Sequence, residues 1–118
     1  MPFFKPDKIT PITPLPGCKL RTPYGENLML SRVEMEEGAI IPTHEHPHEQ
    51  GGIVLEGQLE LTIGSETQVL GVGEMYIIPP NTTHRAAAFG GPAVALDVFS
   101  PVREDYAEAA NRYIPEAE

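Results

Sequence analysis

Three of the four histidines in this chain are spaced as metal ligands. His44 and His46 lie one residue apart in the stretch 38–50, which begins at Gly38 and ends at Gln50. His84 closes a second glycine-led stretch, 73–84, which contains Pro79, Pro80 and Asn81. Side chains alternate along a strand with a period of two, so His44 and His46 are expected on one strand face. A third imidazole from a later strand, His84, then completes a cluster. Neutral imidazoles bind Zn, Fe, Ni, Mn or Cu at neutral pH, and such an ion supplies Lewis acidity. His48 shares the parity of His44 and His46, but Pro47 disturbs the strand before it, which assigns His48 to the rim or to support of a ligand. Glu49 reads as a solvated or supporting carboxylate.

The elements that must position these histidines are strands. Asn27 to Met35 is rich in Leu, Met and Val and stops at Glu36-Glu37-Gly38. Gln58 to Ile63 alternates polar and apolar residues, the mark of a half-buried strand. Gly64-Ser65-Glu66 turns the chain, and Thr67 to Val72 returns it. Met75 to Ile78 is short, apolar and broken by Pro79-Pro80. His84 to Phe89 and Ala93 to Phe99 follow, divided by Gly90-Gly91-Pro92. Short strands punctuated by Gly and Pro predict an all-β fold, a small antiparallel barrel or sandwich. Helical character is confined to Arg103 to Tyr113, which Pro115 terminates.

The plan is one domain: an extended proline-rich arm over 1–17, a barrel over 18–102, and a C-terminal helix and tail over 103–118. Prolines at 2, 6, 11, 14 and 16 keep the arm from forming a helix or a central strand. Phe3 and Phe4 at its start need cover, for which a neighbouring subunit is a candidate.

Composition removes several classes of function. Seventeen acidic residues against 8 basic give a net charge of −9, which argues against nucleic acid as a partner. The apolar runs are only a few residues long, as in Ala86 to Phe89, so no membrane span is expected. Prolines occupy the place where a secretion signal needs its apolar helix. With a single cysteine, Cys18, no internal disulfide can form. A cytoplasmic setting is the simplest expectation.

Gly38, His44, His46, Gln50 and Gly57 stand at the spacings of the first cupin motif, and Gly73, Pro79, Asn81 and His84 resemble the second. Together they cover about a third of the chain. The resemblance implies a jelly-roll barrel, the double-stranded β-helix of cupins, holding one divalent transition metal (Zn, Ni, Fe or Mn). Its ligands would be His44, His46, Gln50 and His84. Two positions depart from the usual pattern. Asn81 replaces a glycine, and Asn tolerates the left-handed conformation better than other non-glycine residues. Gln50 replaces a glutamate, so the donor set carries no negative charge. The ion keeps its full +2, which makes it a stronger Lewis acid and a better attractor of carboxylates or enolates. This also separates the site from the two-His-one-carboxylate set of oxygen-activating iron enzymes.

The run from Ala95 to Tyr106, taken with Gln50, resembles the small cupins of pectin and alginate breakdown, which linearise 4,5-unsaturated monouronates. That resemblance implies that Asp97, Phe99 and Arg103 line the pocket as catalytic residues. Asp97 would move the proton, Arg103 would hold the uronate carboxylate, and Phe99 would pack on the ring and exclude water. Parity places Asp97 and Phe99 on one strand face. An aspartate on an apolar strand needs a partner or a task. Arg32 and Tyr76 are further candidates for the pocket wall. The expected partner is a small anionic sugar, in a homodimer. The competing readings are another metal cupin enzyme, such as a dioxygenase or sugar isomerase, or a binding module without turnover.

Overall fold

The computed structural model describes residues 2–113. Ten strands are found there: β1 Ile12–Leu15, β2 Cys18–Arg21, β3 Met29–Met35, β4 Ile40–His44, β5 Glu49–Glu56, β6 Leu59–Ile63, β7 Glu66–Leu70, β8 Met75–Ile78, β9 His84–Ala88 and β10 Ala93–Ser100. A 3-10 turn, Pro6–Lys8, precedes them and one helix, α1 Glu104–Tyr113, follows. The strands form two antiparallel sheets, ordered β1-β2-β3-β10-β5-β8 and β4-β9-β6-β7. This is the antiparallel jelly-roll architecture that the cupin resemblance implies, within the barrel or sandwich that the alternation and turn residues predict.

Each strand's pattern accounts for its place. β10 alternates strictly, with Ala93, Ala95, Asp97 and Phe99 buried and Val94, Leu96 and Val98 only half-buried. It lies centrally, paired with both β3 and β5. β8 is apolar at every position, yet alternation still sorts it. Met75 and Ile77 point outward from this edge strand, while Tyr76 and Ile78 point in. Prolines within strands, Pro14 in β1 and Pro42 in β4, fall on sheet edges, where no ladder donor is lost. The core between the sheets gathers Leu20, Val33, Met35, Val54, Leu59 and Ala95, with Tyr106 and Ala109 of α1 packed against it.

The arm is partly ordered into the sheet. Ile12–Leu15 adds to β2 of its own chain as an edge strand, and Ile12 is buried. Phe3 and Phe4 are exposed on this chain. Arg32, a candidate for the pocket wall, faces outward instead. Its register neighbours are Leu96 and Arg21, and its guanidinium pairs with Glu34. The parity of β3 explains the difference, because Ser31 and Val33 take the inward positions.

The glycine at the turn after β5 is dictated by contact. Gly57 follows β5 with φ +72°, and a Cβ there would overlap the carbonyl oxygen of Pro92. The close backbone approach at this turn therefore excludes any other residue.

Candidate metal centre and pocket

The expectation that one strand face carries both His44 and His46 is corrected by the structure. β4 ends at His44, and His46 lies in the loop that leads to β5. Pro47 cannot donate to a ladder, so pairing stops before it. The rings nevertheless converge. The centroids of His44 and His46 are 5.7 Å apart, those of His44 and His84 4.2 Å, and those of His46 and His84 4.9 Å. Register explains the closest pair, because His44 on β4 is directly opposite His84 on β9. One ligand atom from each ring lies within 4.8 Å of the others, so the three histidines are positioned to bind a metal ion.

Hydrogen bonds set the tautomers. His44 Nδ1 is 2.8 Å from the carbonyl of Pro42, His46 Nδ1 is 3.1 Å from that of His48, and His84 Nδ1 is 2.9 Å from that of Thr82. A carbonyl only accepts, so each Nδ1 carries the proton and each Nε2 keeps its lone pair. His84 Nε2 is buried and has no hydrogen-bond partner among the described residues. His46 Nε2 lies 3.1 Å from Gln50 Oε1. The amide's orientation is fixed by its other end, since Gln50 donates an N–H to Asp97. Two acceptors therefore face each other, and a cation between them satisfies both. Burial, with the nearby Arg103 and His84, pulls the pKa of His46 down to about 4, and burial also lowers that of His84. Both rings are neutral at pH 7, as metal coordination requires. The donor set fits a divalent transition metal.

His48 stands beside the cluster, its ring 5.3 Å from that of His46. Its carbonyl orients His46, while its own Nδ1 is buried and without a partner among the described residues. Glu49 is exposed at the start of β5.

Asp97, Phe99 and Arg103 line one cavity together with His44, Gln50, His84 and Tyr76. Asp97 is buried and receives hydrogen bonds from the Tyr76 hydroxyl and the Gln50 amide. Burial pushes its pKa up to about 6, against the opposing pull of those donors and of Arg103. Phe99 is 2% exposed and packs edge-on to His46, with centroids 5.8 Å apart. Arg103 sits just before α1, where its carbonyl accepts from Ala107 N–H at 2.9 Å. Its Nε and Nη2 form a two-pronged pair with Asp105 at 3.2 and 2.8 Å. The guanidinium lies over the Tyr106 ring, 3.8 Å from its centroid, and 5.2 Å from that of Phe99. One edge is thus pinned, and among the described residues no partner is found for Nη1, whose donors can meet an anion.

The sequence reading gave no role to Ser31 and Tyr106 in the cavity wall, to Asp105 beside Arg103, or to Gly52, where a Cβ would overlap Tyr76 and Asp97. The doublet Gly51-Gly52 inside a strand was a usable signal, because glycine there marks a close approach. Ser31 and Asp105 carried none. Cys18 is buried, and burial together with Asp97 raises its pKa to about 11, which leaves an unreactive thiol.

A family model for the cupin domain matches residues 31–99. The pectin degradation protein KdgF of Dickeya dadantii is 32% identical over 84 residues, which covers 70% of this chain and 76% of that protein. The structure of KdgF from Halomonas sp. superposes with a TM-score of 0.83 at 30% identity, over 88% of this chain and 98% of that one. An RmlC-like cupin from Shewanella frigidimarina superposes with a TM-score of 0.84 at 26% identity, over 90% and 96% of the two chains.

Proposed function

Because this chain belongs to the cupin family, and the relatives it matches include a pectin degradation protein, we propose that it is a metal-dependent enzyme that opens and ketonises 4,5-unsaturated monouronates. One observation carries the reading. A charge-neutral donor set, His44, His46, His84 and the Gln50 amide oxygen, adjoins a single buried carboxylate, Asp97, whose pKa is near 6.

The substrate is a cyclic hemiacetal whose ring oxygen is bonded to C5 of a C4=C5 double bond. A bound divalent ion would act as a Lewis acid toward the substrate's oxygens and the charge they develop. Asp97 takes the proton from the C1 hydroxyl. The C1 carbonyl forms as the bond from C1 to the ring oxygen breaks, and the electron pair passes to the enolate at C5. The protonated Asp97 then returns its proton to C4, leaving a ketone at C5. Atoms and charge balance, and one residue serves as base and then acid. A pKa near 6 suits both roles around neutral pH. Arg103, held by Asp105 and stacked on Tyr106, presents its remaining donors to the uronate carboxylate. Phe99 forms an apolar wall that keeps water from the reacting carbons.

The test is the absorbance of the conjugated alkene of a 4,5-unsaturated monouronate, followed with metal-loaded and with chelated protein. Metal-dependent decay well above the spontaneous rate is expected. Decay at the spontaneous rate with each of Zn, Ni, Fe and Mn would sink the uronate reading and leave the metal site standing.

A further inference from the structure

One interior row of the larger sheet crosses four strands. Register places Ser31 on β3 opposite Asp97 on β10, Asp97 opposite Gly52 on β5, and Gly52 opposite Tyr76 on β8. Strands lie about 4.8 Å apart, so residues two strands away are roughly 10 Å apart and normally have a side chain between them. Here there is none. A Cβ at Gly52 would overlap the Cζ and hydroxyl of Tyr76 and the Oδ1 of Asp97. Tyr76 leans through that gap and donates its hydroxyl to Asp97 Oδ1 at 2.5 Å.

We propose that Tyr76 is the positioning residue for Asp97, and that Gly52 is conformationally ordinary but sterically required because it admits Tyr76. The inference rests on the proposed role of Asp97 as the proton carrier. Tyr76 is well suited to holding a proton and unsuited to exchanging one, since burial and the adjacent carboxylate raise its pKa far above neutrality. It remains a donor throughout. The Gln50 amide restrains the same carboxylate from the metal side. Two donors from different strands thus fix the orientation of Asp97. A carboxylate has about four acceptor sites, so capacity remains for the reacting proton. On the opposite side of the row, Ser31 lines the cavity, fully buried, with its hydroxyl unpartnered among the described residues. The row therefore restrains Asp97 from the Tyr76 side and leaves it unrestrained from the Ser31 side.

Tyr76→Phe deletes one oxygen and keeps the ring that walls the pocket. In the metal-loaded protein acting on a 4,5-unsaturated monouronate, kcat is expected to fall about 10- to 100-fold, the scale of misplacing a reacting group by an ångström. KM should stay within about twofold, because substrate binding is left to Arg103 and the metal. Gly52→Ala should lose at least as much, since its methyl group displaces both partners. A kcat within twofold of the unmodified protein, or a fall in kcat matched by an equal rise in KM, would overturn the proposal. A readout independent of turnover separates the two ideas. In a crystal structure of Tyr76→Phe, the Asp97 carboxylate should rotate or split between rotamers, and an unmoved carboxylate overturns the positioning role. If the unmodified protein leaves uronates untouched, the substrate reading fails and that crystal structure alone decides the inference.

Discussion

The backbone N–H of Asn81 donates to the carbonyl of His46 at 2.8 Å, which ties the loop of the second histidine segment to that of the first. Asn81 holds φ at 60°, the left-handed conformation its cupin motif position needs. Asn81→Gly should therefore leave stability within about 0.5 kcal/mol, whereas Asn81→Ala should cost about 1 kcal/mol, because alanine lacks the short polar side chain that lets asparagine hold this conformation. Urea denaturation of the two variants, with midpoints compared at a fixed m-value, checks the difference.

His84 brings to the cluster a buried Nε2 that has no hydrogen-bond partner among the described residues. Adding a divalent transition metal should raise the melting temperature of the unmodified protein, by about 2.7 kcal/mol of stabilisation at 100 times the Kd. His84→Ala should remove that shift and weaken binding at least 100-fold. Thermal melts with and without Zn or Ni read the shift, calorimetric titration reads the affinity, and an undiminished affinity in the variant would exclude His84 as a ligand.

Asp97 should cost stability at neutral pH. Its folded pKa, about 6, lies above the unfolded value of 3.8, so its contribution is fully favourable below pH 3.8 and is lost as pH rises through 6. The loss amounts to up to about 3 kcal/mol. Asp97→Asn should accordingly melt higher than the unmodified protein at pH 7 and converge with it below pH 4, while losing turnover. Melting curves across that range test the sign. His46 runs the other way. Its depressed pKa gives stability present above pH 6.5 and lost as pH falls through about 4.

Arg103 is pinned by Asp105 and stacked on Tyr106, and both contacts depend on a planar guanidinium. Arg103→Lys should lower kcat/KM on a uronate by about 10- to 100-fold, the scale of a charge-assisted bidentate pair, mainly through KM. The same variant tested on a substrate whose carboxylate is blocked should show a much smaller deficit. Equal deficits on both substrates would rule out carboxylate binding by Arg103.

Legibility differed from residue to residue. His84 was readable from spacing, since the turn at Pro79-Pro80-Asn81 leads straight into β9. The inward face of Asp97 and Phe99 followed from the parity of a strand that alternates without interruption. His46 was readable as a member of the cluster and misplaced as a strand residue, because a proline one position later ends the pairing. Arg32 was not assignable, since parity says that alternate residues differ but not which set faces inward.

The sequence by itself determined the antiparallel strands of a barrel or sandwich and the histidine cluster, because these rest on local spacing, alternation and residue chemistry. The tertiary structure decided which side chains meet across strands: Gln50 between His46 and Asp97, and Tyr76 reaching Asp97 through the space left by Gly52. The contacts of Asp97 with Tyr76 and with Gln50 join residues 21 and 47 positions apart. They depend on the register of β8, β5 and β10, which long-range pairing sets, and a shift of one residue would turn each side chain to the opposite face.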